Sequence, residues 1–170
     1  MFAYIHGHGS SKNGRSAKEL KRLLALYNEV LEPLGYDSDA KFNSIYQSLL
    51  SQINELQKSL KNETLTLIGS SMGGYLSARF GMDLGLKCVL FNPAIQPHFA
   101  NPSFVPLELD KEIKVLIFVS DQDELLEQND KKVNTLFTNA KDAQIIITHT
   151  PHRVMDYMPY IEKILEFSKN

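Results

Sequence analysis

Two serines stand between glycines where an apolar run ends: Gly69-Ser70-Ser71-Met72-Gly73-Gly74, directly after "TLTLI". A hydroxyl at such a turn can attack an electrophilic carbon once a base removes its proton. A histidine suits that task near neutral pH, and a carboxylate can hold its ring in the required tautomer. Both kinds of residue follow later apolar runs. Asp121 and Asp123 lie in "SDQDELL", and His149 and His152 lie in "THTPHRV". Alcohol, acid and imidazole thus occur in the order Ser, Asp, His.

The spacing selects among the serines. The pattern G-x-S-x-G fits only with Gly69, Ser71 and Gly73; a nucleophile at Ser70 would put Ile68 and Met72 where glycines are required. A serine on a sharp strand-to-helix turn is held in a strained conformation, and side chains two residues away on either side would collide with its surroundings. The same turn brings the hydroxyl to a helix N-terminus, where amides face developing negative charge. For the base, a loop of a few residues beyond the strand favours His152, with His149 as the rival. For the acid, Asp123 lies further into its turn than Asp121, although a lone carboxylate before "ELL" is more often a helix cap. The first apolar run ends in His6-Gly7-His8-Gly9, whose glycines let an amide turn towards a reaction centre. The backbone N–H groups of His8 and Met72 are the expected oxyanion donors.

These residues need a frame that gathers strand ends. Five short apolar runs cross the chain: 2–5, 65–68, 88–91, 113–119 and 143–147. They are continuous rather than alternating, as strands buried on both faces of a parallel sheet are. Helical spacing fills the gaps. One stripe runs through Leu20, Leu23, Leu24, Tyr27, Val30 and Leu31 and stops before Pro33; a second runs from Ile45 to Leu60. Further helices are expected over 75–83, 131–139 and 154–167. The alternation predicts a three-layer α/β/α sandwich around a mostly parallel sheet of five or six strands, one domain over 1–170 without a cap. Residues 35–42 are a possible site for a short edge strand. The segment 92–110 holds four prolines, so it reads as an irregular cover on the same face as residues 69–74.

Composition narrows the class. Apolar residues make up 43% of the 170-residue chain and charged residues 22%, with a net charge of −2, which gives no footprint for nucleic acid or an anionic membrane. No basic leader precedes residue 6, and no run approaches the ~20 apolar residues of a membrane span, so a cytoplasmic protein is expected. The lone Cys88 rules out an internal disulfide and reads as a small buried hydrophobe. His6, His8, His149 and His152 could instead bind a metal, but that leaves the small-residue turn unexplained. After the first strand, Lys12 occupies the third glycine position of a dinucleotide fingerprint, and no phosphate-binding loop pattern occurs. Neither metal nor cofactor is expected.

Taken together, "YIHGHGSS", "LIGSSMGGYLSARF", "CVLFNPAIQP", "SDQDELL" and "PHRV" resemble the α/β-hydrolases, and in particular the small YqiA/YcfP-like bacterial esterases. The resemblance spans nearly the whole chain in the right order. It implies Ser71 as nucleophile, Asp123 as acid and His152 as base. It further implies cofactor-free hydrolysis of carboxylic esters or acyl thioesters, small-molecule substrates presented directly. Two features depart from the family: His8 stands where an aromatic residue is usual, and Thr148 to Pro151 replace the glycines before the final histidine. A hydrolase fold kept as a binding module without turnover is the competing expectation. The oligomeric state is not legible.

Overall fold

The computed structural model describes residues 1–60 and 64–170. Each apolar run becomes a strand: β1 (Phe2–Ile5), β3 (Thr66–Ser70), β4 (Lys87–Phe91), β5 (Lys114–Ser120) and β6 (Asp142–Thr148). A further strand, β2 (Leu31–Leu34), completes a six-stranded sheet of order β2-β1-β3-β4-β5-β6. Every adjacent pair runs parallel.

Side chains alternate between two cores. Ala3, Ile5, Leu67, Val115 and Ile117 face one, packed by α2 (Phe42–Ser59), α3 (Met72–Leu84) and α4 (Asn129–Phe137). Phe2, Tyr4, Ile68, Leu116 and Phe118 face the other, packed by α1 (Arg15–Ala25) and α5 (Ile161–Lys169). The three-layer sandwich follows because strands apolar on both faces need cover on both. No helix among the described residues is long and apolar enough to cross a membrane.

Two helices depart furthest from the periodicity. The first ends at Ala25 rather than reaching Leu31. Asn28 takes a left-handed φ of 60°, and the Glu29 amide reaches back to the Leu24 carbonyl at 3.1 Å, closing the helix as a glycine usually does. Leu31 is buried as a strand residue, whereas Val30 is exposed, so its helical spacing was coincidence. The edge strand therefore lies just ahead of 35–42. Pro33 is tolerated there because β2 has a free outer edge.

The last helix starts at Ile161, not Val154, after a short 3-10 turn at Met158–Tyr160. Arg15 donates to the carbonyls of Val154 and Met155. Pro159 adds a missing amide and a ring that clashes with the carbonyl four residues earlier.

Candidate active site

Parallel strands deliver their C-terminal ends to one rim, where ligands of such sheets gather. Ile5 pairs with Gly69, and Ser70 pairs with Phe91, so the turns after β1, β3 and β4 start side by side. Ser71 sits in the turn after β3, with φ 55° and ψ −121°. An L-residue rarely adopts this conformation, and the surroundings hold it there. The Ser71 amide donates to the Phe91 carbonyl at 3.0 Å, while its carbonyl accepts the amides of Gly74 at 2.9 Å, Tyr75 at 3.2 Å and Ala94 at 3.0 Å.

The glycines answer to space. A Cβ at Gly69 would stand 2.2 Å from the Gly73 carbonyl oxygen, and one at Gly73 would stand 2.0 Å from that of Ile5. Neither clash involves a flexible side chain, so the backbone itself would have to move. Helix α3 begins at Met72, three residues earlier than its apolar spacing suggests. The Met72 amide thus belongs to the first turn, whose N–H groups lack intrahelical acceptors.

His152 and Asp123 meet across the rim. The His152 Nδ1 lies 2.7 Å from Asp123 Oδ2, and the two side chains retain only 6% and 1% of their exposure. An ionised carboxylate can only accept, so Nδ1–H donates and Nε2 is left with a lone pair, the tautomer a general base needs. Asp123 is itself held: its other oxygen accepts the amides of Leu125 at 3.0 Å and Leu126 at 2.8 Å. The rivals pair elsewhere. His149 Nδ1 lies 2.9 Å from both oxygens of Asp121, with 72% and 37% of these side chains exposed.

Ser71 and His152 line one cavity of about 580 Å³, together with Gly7, His8, Met72 and Phe99. Gly7 packs directly on Ser71, since a Cβ there would stand 3.2 Å from that of Ser71. The loop segment 92–110 contributes Ala94, Pro97, Phe99 and Ala100 to the wall, and Met72 borders it. The His8 ring lies with Nε2 3.8 Å from Asp39 Oδ1.

The four histidines are thus dispersed. His6 is buried and stacked on Tyr36 with ring centroids 4.2 Å apart, and its Nδ1 lies 2.9 Å from the Gly7 carbonyl. Burial pushes its imidazole below the ordinary value. Among the described residues, no group of three or more His, Cys, Asp or Glu side chains is arranged to hold a metal.

Three supporting residues were not read from the sequence. Asn92, with a left-handed φ of 42°, donates to the His152 carbonyl at 2.8 Å and accepts the Ser120 amide at 2.7 Å, tying the histidine loop to β5. An asparagine before proline at a strand end is the only local trace of this. Glu124 accepts the His152 amide at 2.8 Å, and that bond lowers its carboxyl below the usual range. Arg15 braces the chain beyond His152 through two carbonyls, contacts that no side-chain pattern could announce.

The fold is that of the α/β-hydrolases. An esterase of Pyrococcus furiosus, Pf2001, superposes with a TM-score of 0.81 at 14% identity, over 99% of this chain and 79% of its own. FphF of Staphylococcus aureus, a fluorophosphonate-binding serine hydrolase, superposes with a TM-score of 0.75 at 16% identity, over 99% of this chain and 83% of its own. Within that fold, residues 1–106 match the model of the uncharacterised protein family UPF0227, and the chain belongs to that family. A UPF0227 protein of Pasteurella multocida is 30% identical over 98 residues, which is 58% of this chain and 53% of the relative. The chain spans about half the length of the curated relatives it matches.

Proposed function

We propose that the protein is a serine hydrolase cleaving carboxylic esters or acyl thioesters through an acyl-enzyme on Ser71. One observation carries this reading: the strained serine lines the same cavity as His152, whose ring is held by the buried Asp123. Ser71 Oγ attacks the acyl carbonyl as His152 Nε2 takes its proton, and Asp123 keeps the ring aligned and balances the imidazolium. The carbonyl oxygen becomes an anion, which the amides of Met72 and His8 receive. Collapse of this intermediate breaks the bond to the alkoxy or thio group, which leaves with the proton from His152. Water then repeats the sequence and frees the acid. Two structural neighbours, an esterase and a fluorophosphonate-binding serine hydrolase, support this chemistry.

The test is a fluorophosphonate probe followed by mass mapping of the adduct, with Ser71→Ala as control. Labelling at Ser71, together with turnover of simple phenyl esters that Ser71→Ala lacks, is the expected result. A folded protein that takes no label, or takes it at Ser70, overturns the mechanism and favours a binding module.

A further inference from the structure

We propose that Arg153 binds an anionic group of the substrate, so that the esters taken by this site carry a carboxylate besides the bond that is cleaved. This rests on the hydrolase reading above and names its substrate class.

Arg153 directly follows His152 and lines the cavity of Ser71 with it. The side chain is exposed, and among the described residues its guanidinium makes no hydrogen bond and no ion pair. A planar fork of donors with nothing to hold suits the two oxygens of a carboxylate. Arg15 lines the same cavity but is already engaged. Glu19 accepts from its Nη1 at 3.0 Å, and the carbonyls of Val154 and Met155 accept as well. These bonds fasten the loop that carries Arg153. Of the two arginines, Arg153 is the one left for a ligand.

The rest of the lining agrees on the sign. The chain as a whole carries a net charge of −2, with 20 acidic residues against 18 basic. Yet none of the described residues lining this cavity is an aspartate or a glutamate. The carboxylates close by hold other groups. Glu19 holds Arg15 and the Tyr157 amide, Asp123 holds the His152 ring, and Glu124 accepts the His152 amide at 2.8 Å. Burial pushes the phenols of Tyr4 and Tyr157, which also line the cavity, above their ordinary value, so neither adds a negative charge. A ligand carboxylate therefore meets an unpaired cation and no like charge, whereas a cationic ligand is repelled by the same residue. Because Arg153 stands beside the base, its flexible stem can serve a charge on the acyl side or on the leaving group.

The experiment uses two pairs of esters matched in shape. On the acyl side, phenyl hydrogen adipate is compared with the phenyl ester of adipic monoamide. On the leaving-group side, the acetate ester of para-hydroxybenzoate is compared with that of para-hydroxybenzamide. Each rate is scaled to that of the uncatalysed ester. In the wild-type protein at low salt, kcat/KM should favour the anionic member of one pair by about tenfold, roughly what one charge-assisted hydrogen bond supplies. The pair that shows the preference tells which side of the ester carries the charge. The preference should shrink as added salt screens it, fall towards unity in Arg153→Met, and be partly kept in Arg153→Lys. Each ratio is taken within one variant, so partial loss of folded protein cancels. Equal or better turnover of the neutral member in both pairs overturns the inference, as does a preference that survives Arg153→Met. Absence of all ester turnover together with an unlabelled Ser71 overturns the hydrolase reading itself, and this inference with it.

Discussion

Two histidine–aspartate pairs stand on the same rim, and their hydrogen bonds are nearly identical. His149 and Asp121 meet at 2.9 Å, His152 and Asp123 at 2.7 Å. What separates them is everything around the bond. The first pair is largely in water, where an ion pair is screened and contributes at most about 1 kcal/mol. The second is buried, its carboxylate is held by two amides, and its histidine borders the cavity of Ser71. A bond that orients a ring is useful only where the ring's other nitrogen faces the reacting atoms. Proximity of acid and base alone does not define a catalytic pair.

The contrast can be broken most severely at Ser71. Ser71→Ala should abolish ester turnover and fluorophosphonate labelling while leaving the melting temperature nearly unchanged, because the alanine keeps the backbone hydrogen bonds of the turn. Next in size, Asp123→Asn should lower kcat by about 10⁴-fold, the loss expected when the ring is held in the wrong tautomer. Asp121→Asn should leave kcat within about twofold, since its exposed pair supplies little. Steady-state kinetics on one phenyl ester decides between them, and a larger loss at Asp121 would reverse the assignment.

A third expected effect falls on stability. Gly73→Ala forces a methyl group to within 2.0 Å of the Ile5 carbonyl oxygen, and overpacking of this kind costs about 1–3 kcal/mol or more. Calorimetry should register a clear fall in melting temperature, with turnover falling as the turn opens.

The smallest effect concerns His6, which neither pair uses. Burial depresses its folded-state value below the ordinary 6.5, so the unfolded chain takes up that proton first as the pH falls. Its contribution to stability is therefore lost as the pH drops from about 6.5 towards the lower folded value, and is constant above. Melting temperatures measured across this window should decline less steeply in His6→Gln than in the wild type.

Much of this was legible in the residue order. Four of the five continuous apolar runs are strands covered on both sides, because each side chain of such a run needs an apolar neighbour whichever way it points; the fifth, β6, lies at the sheet edge and leaves Ile147 47% exposed. The register of Ser71 was equally plain: only one placing puts glycines where the structure leaves 2.0 Å and 2.2 Å for a Cβ. Less local features escaped. The helical stripe through Val30 and Leu31 dissolved because Asn28 closed α1 early, a choice among competing end signals that the apolar spacing does not register. The stretch from Val154 stays out of helix up to the turn at Pro159, and an arginine far back in the chain holds two of its carbonyls.

What the chain order determined by itself is therefore what depends on neighbours in sequence: the strands, the tight turn at Ser71, and the succession of alcohol, acid and imidazole. Tertiary structure alone decided which imidazole is buried against which carboxylate and which loop Asn92 anchors. Such matters rest on desolvation and on contacts between distant segments, and neither quantity exists until the sheet has assembled its strand ends on one rim.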